Sequence, residues 1–146
     1  MKTGPKHKLC RRMGSCVWGS PKCPSVKRPY AAGPHGGKRR SKVSIYGELL
    51  LEKQKLKAHY DLTERSLRFL YLKAKKTIGA TGDKLIADIE MRLASVVWRS
   101  GLTPTIFAAK QAVVHRHVLV DGKIVDRPSY RVKAGQVVSV NGQKSP

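Results

Sequence analysis

Acidic residues are scarce in this chain: 9 Asp and Glu stand against 30 Lys and Arg, a formal net charge of +21. Between Met1 and Gly47 no acid occurs at all beside 12 basic residues. That stretch has no internal counter-charge and must lie in solvent or against phosphate. Charge of one sign repels itself in a compact fold. A polyanion relieves the repulsion and gains from the counterions it releases. Few acids also count against an enzyme, because most of them fall on predicted helix faces or turns rather than in a convergent set. No Gly-rich phosphate loop of the Walker type is present. No small-molecule substrate is expected.

Cysteines number three, all before residue 24, too few for a disulfide framework. No window of about 18 apolar residues exists, so no membrane span is expected. The N-terminus has no apolar segment of the secretory kind, and a reducing location, cytoplasm or organelle matrix, is expected. Aromatics reach only 6% and hydrophobic residues 40%, enough for a modest core. The sequence pI near 10.4 is the footprint of a nucleic-acid binder.

Punctuation by Gly and Pro, from Gly4 and Pro5 to Gly36 and Gly37, predicts an irregular basic arm over residues 1–42. Such a segment buries no core of its own and takes order from a metal or from RNA. Within it His7, Cys10, Cys16 and Cys23 offer four soft or borderline donors suited to a tetrahedral structural zinc. A metal supplies folding energy directly where apolar burial cannot.

Residues 43–91 read as a small helical bundle. Ser44 caps a helix over 44–59 whose apolar face is Ile45, Leu49 and Leu56. A second helix over about 64–77 places Leu67, Leu70, Tyr71 and Ala74 on one side. A third is expected to run unbroken from about Asp83 to Trp98, with Leu85, Ile89 and Leu93 inward. A short helix follows from Pro104 or Thr105 to Val114. The period then falls to two: His117–Val120, an Asp121-Gly122 turn and Lys123–Val125 make a hairpin, with further strand near Val132 and Val137–Val140. The expected class is α+β, in three parts: 1–42, 43–91 and 92–146. The hairpin is basic, with Lys110 near its entry, His115, Arg116, His117 and Lys123 on it, and Arg127 and Arg131 beyond. Alternation places His115 and His117 on one hairpin face.

Two segments of the last part, RLASVVWRSGL at Arg92–Leu102 and AKQAVVHRHVLVDGKIVDRPSYRV at Ala109–Val132, resemble the S4 RNA-binding domain of the bacterial-type small-subunit ribosomal protein S4 family. That domain occurs in other RNA-binding proteins too. The resemblance continues through Lys27-Arg28-Pro29-Tyr30, Gly33-Pro34-His35-Gly36, Tyr46-Gly47, Glu52-Lys53-Gln54-Lys55-Leu56, Tyr60, Glu64-Arg65 and Phe69, in order and nearly end to end.

The family resemblance implies a primary binder of the 5′ domain of small-subunit rRNA, which nucleates subunit assembly and contributes to translational accuracy beside proteins S3 and S5. It implies RNA contacts by Lys27, Arg28, Tyr30, His35, Lys38, Arg39, Arg40, Lys53, Lys55, Lys110, His115, Arg116, His117, Lys123 and Arg131. Some members carry a four-Cys zinc site in the arm; here His7 stands at the first position and the Cys16 spacing departs from that pattern. Pro104, Ile106 and Phe107 replace an Arg-rich helix start. Phosphate contacts are then lost, or Ile106 and Phe107 pack on a protein neighbour. Arg116 stands where a glycine is usual, so a positive φ there implies strain. Typical members continue well past Pro146. A regulatory RNA binder acting outside the ribosome would present the same surface.

Overall fold

The computed structural model describes residues 5–37 and 44–142. The chain forms two compact units, Met1–Thr63 and Glu64–Pro146.

In the first unit, helix α1 (Lys6–Met13) ends at Gly14, whose φ of 70° closes the helix in the left-handed conformation. The expected irregular arm is thus partly helical. A short turn of helix, α2 (Pro24–Lys27), packs against α1. What orders these residues is polar more than apolar. Arg11 donates from Nε to the Tyr30 carbonyl at 3.1 Å and from Nη2 to that of Ala31 at 3.3 Å, with its guanidinium over the Tyr30 ring. Gly36 is required sterically: an added Cβ would fall 1.7 Å from the Ala31 carbonyl oxygen. Helix α3 (Ile45–His59) starts as the sequence predicts, with the Ser44 hydroxyl accepting the Gly47 amide at 3.2 Å. Its expected inner face is not buried, since Ile45 is 79% and Leu49 66% exposed. Two bonds tie its C-terminal end to the cysteine loop. Trp18 Nε1 donates to the Ala58 carbonyl at 3.2 Å, and His59 Nδ1 lies 2.8 Å from the Val17 carbonyl.

In the second unit, α4 (Glu64–Lys75) packs on α5 (Thr81–Glu90) through Leu67, Leu70 and Ala74, with Ile89 buried opposite. Tyr71, expected inward, is half exposed. The helix expected to run to Trp98 breaks at Met91-Arg92 and resumes as α6 (Leu93–Arg99). The cause is tertiary. The Leu93 and Ala94 amides donate to the carbonyls of Tyr130 and Pro128, and the Met91 carbonyl accepts from Val132. Backbone groups engaged in this way cannot continue an α-helical ladder. The Ser95 hydroxyl, buried, donates to the Ile89 carbonyl at 2.9 Å and satisfies the end of α5.

Helix α7 (Ile106–Val114) is capped by Thr105, whose Oγ1 accepts the Ala108 amide at 3.1 Å. Ile106, which one of the two alternatives above packs on a protein neighbour, is 1% exposed and belongs to the interior of its own unit. The sheet is antiparallel in the order β2-β1-β3, with β1 Val118–Val120, β2 Lys123–Ile124 and β3 Val138–Val140. Leu119 faces Ile124 on one side and Ser139 on the other. The period-two pattern turns Val118 and Val120 onto α6 and α7. Together with Leu93, Val97, Ala109, Val113 and Val132 they make the core.

Candidate nucleic-acid interface and thiol cluster

The hairpin and the end of α7 hold four of the predicted RNA contacts, all exposed: His115, Arg116, His117 and Lys123. His115 is the C-cap of α7 rather than a hairpin residue. Its ring nevertheless stacks with that of His117, with centroids 6.1 Å apart. Arg116 between them has φ 63°, the left-handed conformation its position demands. A non-glycine residue there costs roughly 1 kcal/mol. The fold imposes that cost through two backbone bonds, Arg116 N to the Val113 carbonyl and His117 N to that of Ala112. Arg116 also reaches Asp126 at 3.7 Å, an exposed pair of little energetic weight.

Asp121 fixes the hairpin tip. It accepts the Val137 amide on Oδ1 and the Gln136 side chain on Oδ2, both at 2.8 Å, so the β1–β2 turn is bound to the loop before β3. The Val137 amide first, then Gln136 and the charge of Lys123, hold its carboxyl below the usual carboxylate range. A depressed folded pKa contributes stability above the unfolded value of about 3.9, which is lost as pH falls through the folded value. Asparagine tolerates the φ of 51° at this position. Asp121→Asn is therefore expected to lower the urea midpoint at pH 7 and to differ less from wild type near pH 3. An equal difference at both pH values would contradict the carboxylate's role.

The other expected contacts stand apart in kind. Lys27, Arg28 and His35 are exposed in the first unit, and Tyr30 lies under Arg11. Lys38, Arg39 and Arg40 lie outside the described residues. Lys53 is exposed on α3, and Lys55 pairs with Glu52 at 2.5 Å. Lys110 is half-buried. Arg131 is held by Asp88 Oδ1 at 2.8 Å, so its charge is already partly spent within the fold. Sequence reading missed Arg11, whose contacts lie 19 and 20 residues away.

Around α1 the structure gathers His7 Nδ1 or Nε2, Cys10 Sγ and Cys23 Sγ within 4.8 Å of one another. Cys10 and Cys23 are buried, and Cys23 Sγ lies 3.3 Å from His7 Nδ1. A tetrahedral zinc with bonds near 2.3 Å to sulfur and 2.0 Å to nitrogen spaces such a pair about 3.5 Å apart. The donor set fits the ion. Cys16 falls outside this cluster of three and accepts the Ser20 amide at 3.3 Å, yet it interacts with both other thiols. Burial, with the charge of its neighbours, pushes Cys10 up to about 11, against a lowering by the Val17 amide. For Cys23 burial acts upward, but hydrogen bonds from Ser25, Cys16 and His7 outweigh it and bring the thiol to about 6. One thiolate ready beside a second thiol and an imidazole is chemistry suited to holding a soft divalent cation.

A helix pair laid on a three-stranded hairpin sheet, with a cationic turn at its edge, defines the class: an RNA-binding module of the S4 type. The model of the S4 domain matches residues 91–138, and that of the ribosomal protein S4/S9 N-terminal domain matches residues 1–90. The small ribosomal subunit protein uS4 of Roseobacter denitrificans is 50% identical over 140 residues, which cover 95% of this chain and 68% of that protein. That of Phenylobacterium zucineum is 52% identical over 136 residues, covering 92% and 66%. That of Cereibacter sphaeroides is 46% identical over 140 residues, covering 95% and 68%. This chain belongs to the uS4 family of small-subunit ribosomal proteins. The family is one of structural RNA-binding components, not of enzymes. Among the described residues no helix is long and apolar enough to cross a membrane.

Proposed function

We propose that this chain binds the 5′ domain of small-subunit rRNA as a structural constituent of the ribosome, nucleates subunit assembly, and contributes to translational accuracy beside proteins S3 and S5. Its place would then be the ribosome of the cytoplasm or of an organelle matrix. The supporting observation is the exposed cationic turn His115-Arg116-His117 at the entry to β1, held by backbone bonds in a conformation no arginine adopts without cost, with Lys123 exposed at the far end of the same hairpin. Lys27, Arg28, Tyr30, His35, Lys38, Arg39, Arg40, Lys53, Lys55, Lys110 and Arg131 are the further contacts that the family resemblance implies. Arg and Lys at phosphates, with groups for 2′-hydroxyls, follow the shape of folded RNA. Purified chain is expected to prefer a 5′-domain rRNA fragment over a random RNA of equal length by at least roughly tenfold. Its log Kd should rise steeply with log salt. Equal affinity for both RNAs would refute the reading.

A structural zinc held by His7, Cys10 and Cys23, with Cys16, which interacts with both other thiols, as the fourth donor, completes the proposal. The ion would supply folding energy to a unit with few buried apolar residues. The protein's own part is to fix the loop: the Val17 amide acts on Cys10 while the Val17 carbonyl meets His59 of α3.

A further inference from the structure

Arg65 and Lys73 of α4, Arg92 at the α5–α6 break and Arg131 beyond the hairpin line one groove of the second unit, together with Phe69, Asp88 and Ser129. Asp88 is the only acid in the groove and is itself buried. Both of its oxygens are occupied: Oδ2 meets Lys73 at 3.3 Å and Oδ1 meets Arg131 at 2.8 Å. Among the described residues of the groove no carboxylate is left for the other two cations. Arg65 is exposed at the start of α4. Arg92 is different, because it stands at the α5–α6 break and is half-buried. Among the described residues its guanidinium has no hydrogen-bond or ion-pair partner. Burial pulls its pKa below the ordinary arginine value. Withdrawing a cation from water without a partner is unfavourable, and an arriving anion reverses that penalty.

Beside the two free guanidinium groups lies Phe69, 67% exposed and so presenting an open aromatic face. A carboxylate gains nothing from that face, whereas a nucleobase stacks on it. A guanidinium matches the paired oxygens of a phosphodiester bidentately. We propose that this groove binds an RNA phosphodiester, with Arg92 and Arg65 as its phosphate ligands and Phe69 stacking the adjoining unpaired base. It is a second RNA contact, built on α4 and the α5–α6 break rather than on the hairpin. It rests on the RNA-binding reading above.

The test is titration of the full chain and its variants with a 5′-domain rRNA fragment over a salt series. Arg92→Gln keeps most of the aliphatic stem and should raise Kd roughly tenfold or more, the worth of one charge-assisted contact. It should also reduce the slope of log Kd against log salt by about 0.7 to 0.9. Arg65→Gln, at an exposed position where a folding defect is not expected, should lower the slope in the same direction. Phe69→Leu should weaken binding by about fivefold or more and leave the slope unchanged. Lys123→Gln on the hairpin tests the underlying reading separately. If Arg92→Gln and Arg65→Gln bind as wild type while Lys123→Gln is weakened, the groove is not an RNA site and the hairpin reading stands. If all of these variants bind as wild type, both fall. Normal rRNA affinity with failed incorporation into subunits would mean that the groove takes an acidic protein segment, which overturns the RNA assignment.

Discussion

Cys10→Ala is expected to abolish zinc binding and to strip the N-terminal unit of its order while leaving the second unit folded. Cys10 is a fully buried residue of α1 and, among the described residues, one of three donors within 4.8 Å of one another. The apolar burial around it is small: in the first unit only Cys10, Cys23, Tyr60 and Leu62 are buried hydrophobic residues among those described. Structural zinc in small domains supplies an apparent 10 kcal/mol or more, far above what so few side chains contribute. Native mass spectrometry should find one zinc per wild-type chain and none in the variant. Amide exchange across residues 7–28 should rise to near-unfolded rates in the variant and, equally, in wild-type protein after chelation. Protection that survives chelation unchanged would show that Arg11, Trp18 and their backbone partners hold the unit without metal.

The second large effect belongs to the other unit. Leu93 is fully buried and sits where α6 meets the sheet, with Val97, Val113, Val118 and Val132 around it. Its truncation removes three methyl(ene) groups from a site whose backbone is fixed by the bond to the Tyr130 carbonyl at 2.8 Å. The cavity therefore collapses poorly, and Leu93→Ala should cost about 3 kcal/mol. In a unit of this size that lowers Tm by roughly 10 to 20 °C. Urea unfolding should show a lower midpoint with the same slope, since surface exposure on unfolding hardly changes. A loss under about 1 kcal/mol would mean that the core is not centred on this helix.

Much of this was readable from residue order. Ser44 and Thr105 cap α3 and α7 as their positions predict, because a cap is a bond between near neighbours. The hairpin turn falls at Asp121-Gly122, with φ of 51° and 75°. Arg116 stands where the family has glycine, which leaves the turn open in the sequence; its φ is 63° and the strain that a positive φ implies is present. The thiol cluster also came through in its main members, His7, Cys10 and Cys23. Where reading failed, distant partners decided. Nothing between Asp83 and Trp98 breaks a helix locally; the break comes from residues 128–132. The apolar side of α3 looks like an inner face, yet periodicity cannot say what, if anything, lies against it. Arg131 looked like a free cation until Asp88, 43 positions earlier, took hold of it.

Residue order alone settled the chemistry of this protein. An uncompensated cationic charge and a helix-then-hairpin pattern are properties of composition and local spacing, and they survive any arrangement of the elements. Tertiary structure decided which cations stay available. Pairing with an acid, burial and backbone strain depend on residues far apart in the chain: Arg131 is bound to Asp88, Arg116 is held strained in the open, and Arg92 is left half-buried with no acid partner among the described residues.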